Sequence, residues 1–220
     1  MKLKETSQFS KVTWSLVIVI LVILAALISV CAWKKTTFPG DLQLTILLQS
    51  IYSQPLLSSM KWISFLNGGW RAALLVIISS FIVWWRLGWL EGILIPVAGL
   101  TSLVHLALKA IVNRPRPASN LVQVLTLKKG GGFPSGHSFF AIVVWGLLAY
   151  FILANIRKRS LRILILIVFI LLILLTGLSR VYLGVHWPSD VLGGYLSGGV
   201  FLAALIWFYQ TWHRRLQPWG

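Results

Sequence analysis

The chain has 220 residues, of which 58% are hydrophobic and 11% charged, and its mean hydropathy of +0.86 leaves too little polar surface to coat a soluble globule. A soluble fold is thereby excluded, and the length fits an all-α, polytopic membrane protein, since each crossing of a hydrocarbon core about 30 Å thick takes about 20 residues. Twenty Lys and Arg against four acids give a formal net charge of +16, which points to anionic partners such as lipid headgroups or phosphates and, in so apolar a chain, away from nucleic acid. Cys31 is the only cysteine, so neither an intramolecular disulfide nor a Cys-rich metal site can be built.

The basic leader Lys2, Lys4 and Lys11 precedes a charge-free run from Trp14 to Trp33. That run is too long and too poor in cleavage-site residues for a removable signal, and it reads as a retained first span. Residues 36–61 mix polar and apolar side chains around Pro39, Gly40 and Pro55, which predicts an interfacial segment with a short amphipathic helix. Five more apolar runs are bounded by charges. They bring the prediction to six transmembrane helices, at about 14–33, 69–85, 90–112, 135–156, 162–180 and 190–212, in one membrane-integral domain over residues 1–220. The second span has the least defined start, with Arg71 snorkelling to the interface. Trp33, Trp70, Trp84, Trp85, Trp89, Trp187, Trp207 and Trp212 fall near span ends and read as an interfacial belt, and Glu91, beside Trp89, as an anchor at the interface.

Short connectors make the chain alternate sides. The end of span three, the start of span four, the end of span five and the start of span six therefore share one face, and Glu91 lies at the other. Lys and Arg number ten on each face; setting aside Lys109, Arg116 and Arg180, which the motifs below engage, leaves ten against seven. With the compact basic loop from Arg157 to Arg162, this predicts cytoplasmic termini and an extracytoplasmic shared face.

Three elements meet on that face. Lys109 closes span three before Asn113-Arg114-Pro115-Arg116-Pro117, where each proline forces the preceding arginine into extended backbone and ends the helix. One lysine and two arginines there repel one another unless an anion lies between them, although an ordinary basic loop is the plainer alternative. Next, Gly130-Gly131-Gly132-Phe133-Pro134-Ser135-Gly136-His137 leads into span four. The unpaired first amides of a helix, at Ser135, Gly136 and His137, make an anion site to which the Ser135 hydroxyl adds a donor. Capping alone would account for Ser135 but not for His137. The third element runs from Ser179-Arg180 to His186 and Asp190. Arg180 ends a very apolar span and needs a partner. The four-residue spacing from His186 to Asp190 puts both on one face of a helical turn, where the carboxylate can accept from one imidazole nitrogen and leave the other a free lone pair. Such a pair serves a nucleophile or base, or is purely structural.

In these residues the chain resembles the type 2 phosphatidic acid phosphatase superfamily of membrane lipid phosphatases. The signature runs in order: Lys109, six residues, Arg116-Pro117; Pro134-Ser135-Gly136-His137; then Ser179-Arg180, five residues, His186, three residues, Asp190. The resemblance implies hydrolysis of a phosphomonoester or diphosphate, without metal or cofactor, through a phosphohistidine on His186. In that scheme Lys109, Arg116, Arg180, Ser135 and Gly136 bind the phosphate oxygens, Asp190 orients His186, and His137 is the general acid that later activates water. His105, within span three, and His213, at the opposite face, are expected to lie out of reach. Four scattered acids cannot form a dinuclear carboxylate site, and the cations take the metal's role.

A transporter for anionic lipids would show repeats and midplane charges, and a noncatalytic lipid-phosphate receptor would need neither histidine. By analogy with the family's bacterial members of this size, the expected substrate is phosphatidylglycerol phosphate, with undecaprenyl diphosphate, phosphatidic acid and diacylglycerol diphosphate as alternatives. Lys128 and Lys129 are read as solvated surface lysines rather than substrate contacts. Oligomeric state has no reading in the sequence.

Overall fold

Every long apolar run in the chain forms a helix, because in lipid a backbone must satisfy its own hydrogen bonds. The structure, a computed structural model, describes residues 11–34 and 37–216, for Lys11 and residues 213–216 the backbone only. Lys2, Lys4 and Lys35, and the side chains of Lys11, His213, Arg214 and Arg215, which entered the charge balance, lie outside the described residues. Six units are long and apolar enough to cross a membrane: Val12–Lys34, Gly69–Leu87, Trp89–Val112, Gly136–Asn155, Arg159–Tyr182 and Pro188–Trp212. Each bound falls within three residues of its predicted place, and no strand occurs among the described residues.

In chain order, α1 (Lys11–Lys34) is followed by two short helices, α2 (Asp41–Ser50) and α3 (Gln54–Leu66), and by α4 (Gly69–Leu87). The third crossing is broken at Thr101 into α5 (Trp89–Leu100) and α6 (Ser102–Val112). Pro96 in α5 cannot donate to the Gly92 carbonyl one turn back, and the Ser80 hydroxyl of α4 donates to that oxygen instead, at 2.9 Å. The fourth crossing runs through α7 (Gly136–Phe140), a π-helical turn (Ala141–Trp145) and α8 (Gly146–Asn155), and the last two are α9 (Arg159–Tyr182) and α10 (Pro188–Leu216).

The fourth crossing is the hub. Its Phe139, Val143, Leu147 and Phe151 are buried between Leu94, Ile95 and Ala98 of α5 and Ala203, Ile206 and Tyr209 of α10. Small residues let α10 approach: a Cβ on Gly198 would lie 2.3 Å from Ile142 Cγ2 and 2.9 Å from the Phe139 carbonyl oxygen. Along α1 and α9, Leu16, Ile20, Leu27, Leu164 and Leu171 stay exposed and face lipid.

The segment predicted to lie at the interface forms two helices, and α2 is turned opposite to a surface helix. Its polar Asp41, Thr45 and Gln49 are buried, while Leu44, Ile46 and Leu47 are exposed. The reason is that α2 packs on polar backbone: Gln49 Nε2 donates to the carbonyls of Gln123 (2.7 Å) and Tyr182 (3.0 Å). At the opposite end of the bundle Trp14 Nε1 donates to Gln210 Oε1 (2.8 Å), Gln210 Nε2 to the Tyr150 hydroxyl (3.2 Å), and the Tyr209 hydroxyl to Glu91 Oε1 (2.7 Å). Glu91 is thus a buried tie between helices rather than an exposed anchor. Trp33, Trp70, Trp84, Trp85 and Trp89 are exposed as a belt requires, whereas Trp187 is only 2% exposed and belongs to the interior.

Gly198→Leu should destabilise the bundle by about 1–3 kcal/mol through overpacking, read as a lowered Tm in detergent; an unchanged Tm would mean that α10 does not pack closely at this point.

Candidate active site

At one end of the bundle, the loop after α6 and the turn between α9 and α10 are each pinned by their own backbone. Asn113 ends α6 in the left-handed conformation (φ 40°), donating its amide to the Lys109 carbonyl, and the two Arg-Pro steps that follow lie outside any helix. The glycine approach returns along this strand of chain: Gly132 N–H donates to the Arg114 carbonyl (2.6 Å) and Ser135 N–H to the Asp190 carbonyl (2.9 Å). Gly184 turns the chain at φ +68°, where a Cβ would strike the Gln123 carbonyl. The amides of Val185 and His186 then donate to the Arg180 carbonyl at 3.1 and 3.3 Å. His186 therefore sits in a turn, not on a helix. Trp187 caps α10, Pro188 opens it, and Asp190 Oδ2 reaches back to accept the Trp187 amide at 2.9 Å, half of a capping box. The four-residue spacing works through a helix start.

Arg114, read from sequence as one of three loop cations facing an anion, faces away from the cleft. Its Nη1 donates to Asp190 Oδ1 (2.6 Å) and Ser189 Oγ (2.7 Å), its Nη2 to Asp41 Oδ2 (2.8 Å), and all three charged side chains are buried. Asp41 also accepts from the Ser189 amide (3.0 Å) and hydroxyl (2.7 Å). Two buried carboxylates need a cation between them, which is why this arginine is withdrawn from the cleft. Sequence reasoning missed Asp41. Its signal was scarcity: it is one of four acids in a +16 chain and lies in a segment on the same face as the cations.

The cleft, about 290 Å³ in volume, is lined by Lys109, Arg116, Arg180, Gly136, His137 and His186, and no carboxylate is among its lining residues. Arg116 is fixed by donating from Nε to the Gly130 carbonyl (2.9 Å) and from Nη1 to the Val185 carbonyl (2.7 Å), and that Nη1 stands 3.2 Å from His186 Nε2. Arg180, 2% exposed, donates from Nη1 to the Ser64 hydroxyl, while its buried Nε has no hydrogen-bond partner among the described residues. His186 Nδ1 faces Asp190 Oδ2 at 3.5 Å, long for a hydrogen bond, and its geometry makes none among the described residues. Such contacts are often long before a substrate tightens them. Burial first, then the charges of Arg180, Arg116 and Lys109, hold the His186 imidazole well below the usual histidine range, so it is neutral near pH 7 and keeps a lone pair.

Three sequence expectations change here. Ser135 is fully buried behind the cleft, its hydroxyl accepting from Ser138 Oγ at 3.0 Å, and it neither lines the cavity nor caps α7 through its side chain. His105, expected out of reach, lines the cleft, and so does Lys128, expected to be merely solvated, while Lys129 is not among the lining residues. His105 had a visible signal, since it lies one helical turn before Lys109 on the same face.

Three cations converging on a neutral imidazole can hold a tetrahedral phosphate dianion for in-line attack while offsetting its charge. The cleft is set at one end of six apolar helices, where the headgroup of a membrane lipid lies. Residues 90–214 match the PAP2 superfamily, and the chain belongs to that family. It is 35% identical over 134 residues to phosphatidylglycerophosphatase B of Bacillus subtilis (strain 168), covering 60% of this chain and 64% of that protein. It is 29% identical over 153 residues to lipid A 4'-phosphatase of Bacteroides thetaiotaomicron, covering 66% and 59%. The chain thus spans less than two thirds of the length of these curated relatives. The crystal structure of a transmembrane PAP2 type phosphatidylglycerolphosphate phosphatase from Bacillus subtilis matches with a TM-score of 0.78 at 27% identity, over 89% of this chain and 96% of that one.

Arg114→Met leaves Asp41 and Asp190 facing each other without a counter-charge. It should cost about 3–5 kcal/mol and lower turnover, seen as loss of thermal stability in detergent together with a fall in kcat; a variant as stable and active as the parent would show the network to be dispensable.

Proposed function

We propose that residues 1–220 work as one membrane-integral domain that hydrolyses phosphatidylglycerol phosphate to phosphatidylglycerol and inorganic phosphate. The observation that carries this reading is His186 Nε2, neutral and 3.2 Å from Arg116, facing a cleft shared with Lys109 and Arg180 at the end of a lipid-embedded bundle. Lys109, Arg116 and Arg180, with the Gly136 amide, bind the three non-bridging phosphate oxygens. His186 Nε2 attacks phosphorus in line, the bond to the lipid alcohol breaks, and His137 gives its proton to the departing oxygen. Water then attacks the phosphohistidine, His137 takes the water's proton, and phosphate leaves with the imidazole restored. Asp190 holds His186 in the tautomer with Nδ1 protonated. Ser135 supports the loop from behind. The cations supply the charge stabilisation that a metal gives elsewhere.

Support for the substrate is the similarity to a relative named phosphatidylglycerophosphatase B; lipid A 4'-phosphatase is a more distant one. One observation favours undecaprenyl diphosphate as a second reading: Lys128 at the cleft adds a fourth cation that a terminal diphosphate could use. The charge balance supports the plasma membrane with the cleft on the extracytoplasmic face and both termini in the cytoplasm.

Phosphate release in mixed micelles with excess chelator, comparing the two lipids by kcat/KM, tests the reaction and its substrate. Release should persist in chelator, favour phosphatidylglycerol phosphate, and fall by about 10⁴-fold or more in His186→Ala. Full activity of that variant would remove His186 as nucleophile, and preference for the diphosphate would select the second reading. Orientation is tested with Leu127→Cys, an exposed position on the loop of the cleft face, in a Cys31→Ser background. A membrane-impermeant maleimide should label it in intact cells; labelling only after permeabilisation would invert the topology.

A further inference from the structure

Below the three cations, the cleft continues toward the bilayer along one face of α6. Ser102, His105 and Lys109, spaced three and four residues apart, all line it, while Leu103, Leu106 and Ile111 of the same helix are exposed to lipid. His105 is therefore about 6 Å, and Ser102 about 10 Å, deeper in the membrane than Lys109. Polar groups at such depth are costly unless they serve something, and neither side chain is used by the chemistry above.

The hydrogen-bonding state of each is defined. His105 Nδ1 pairs with the Ser102 carbonyl, so it carries the proton, and Nε2 of the neutral ring is left as an acceptor. The ring lies directly over Gly136: a Cβ there would stand 2.4 Å from His105 Nε2 and 2.9 Å from Cδ2. Gly136 thus admits His105 beside the start of span four, next to the amides that face the phosphate. Phe139, with ring centroids 5.9 Å apart, backs the imidazole. The Ser102 hydroxyl is buried without a hydrogen-bond partner among the described residues. An acceptor against Gly136 and a hydroxyl deeper along α6 thus belong to residues that line one cleft on the bilayer side of the phosphate-binding cations, where the leaving group must lie if the lipid approaches from the membrane.

Resting on the phosphatase reading above, we infer that Ser102 and His105 form a leaving-group subsite that takes an alcohol bearing a hydroxyl on the carbon next to the phosphate-bearing one. His105 Nε2 accepts from that hydroxyl and Ser102 Oγ donates to it. The glycerol headgroup of phosphatidylglycerol phosphate carries such a hydroxyl. A polyprenyl diphosphate has none, and in phosphatidic acid the neighbouring oxygen is acylated and cannot donate. The subsite makes His105 and Ser102 determinants of specificity rather than catalytic residues.

The test uses the full chain in mixed micelles and two substrates: phosphatidylglycerol phosphate and its deoxy analogue, in which that one hydroxyl is replaced by hydrogen. The parent should favour the hydroxyl-bearing lipid by about tenfold in kcat/KM. Ser102→Ala and His105→Phe should each bring the ratio to within about threefold of one. A misfolded fraction lowers both rates alike and leaves the ratio untouched, so a purely structural role would not move it. A parent ratio near one, or a parent ratio retained in both variants, would overturn the subsite while leaving the phosphatase reading standing. Release from neither lipid by the parent would overturn that reading, and the subsite with it.

Discussion

Arg114, held between Asp41 and Asp190, keeps the two charge populations of this protein apart. Lys109, Arg116 and Arg180 can face a cleft without neutralisation only if the nearest carboxylate does not swing in to meet them. A unit pair at about 4 Å is worth about 4 kcal/mol in a partly buried setting, ample to pull a free aspartate into the cleft. Both oxygens of Asp190 are committed elsewhere, one to Arg114 and one to the Trp187 amide, so the carboxylate stays behind His186. The same guanidinium brings α2 to the start of α10, since Asp41 also accepts from Ser189. The cationic cleft, the stance of His186 and the seat of α2 all depend on it.

Much of this was legible in the sequence. The six crossings followed from apolar runs that end at charges, because the cost of a charge in hydrocarbon leaves little freedom in where a span stops. The gathering of Lys109, Arg116, His137, Arg180 and His186 followed from alternation of short connectors. What was not legible depends on partners far apart in sequence. Asp41 and Arg114 meet across 73 residues, and no local pattern announces the pairing. For the same reason α2 turned out to bury its polar face: its neighbours are the carbonyls of Gln123 and Tyr182, not lipid. Trp187 shows the converse failure. A tryptophan at a span end reads as an interfacial residue by composition, but this one sits inside the capping turn that holds His186 in place.

The two irregular crossings, broken at Thr101 and passing through the π turn at Ala141–Trp145, are the ones that bring Lys109, His105 and His137 to the cleft. Departures from helical backbone survive in a membrane where other protein groups meet the freed atoms, as Ser80 does for Gly92. A π turn also shifts the phase of the helix beyond it, which lets one crossing aim His137 at the cleft and still present Leu147 and Phe151 to the core.

The hydrogen bonds at the far end of the bundle have a counterpart at the cleft end. Trp14, Gln210, Tyr150, Glu91 and Tyr209 stitch α1, α5, α8 and α10 together there, while at the cleft end Arg180 ties α9 to α3 and Arg114 ties the loop after α6 to α2 and α10. Polar side chains thus lace the bundle at both ends of an apolar middle, so a change at either end reaches helices that are far apart in sequence.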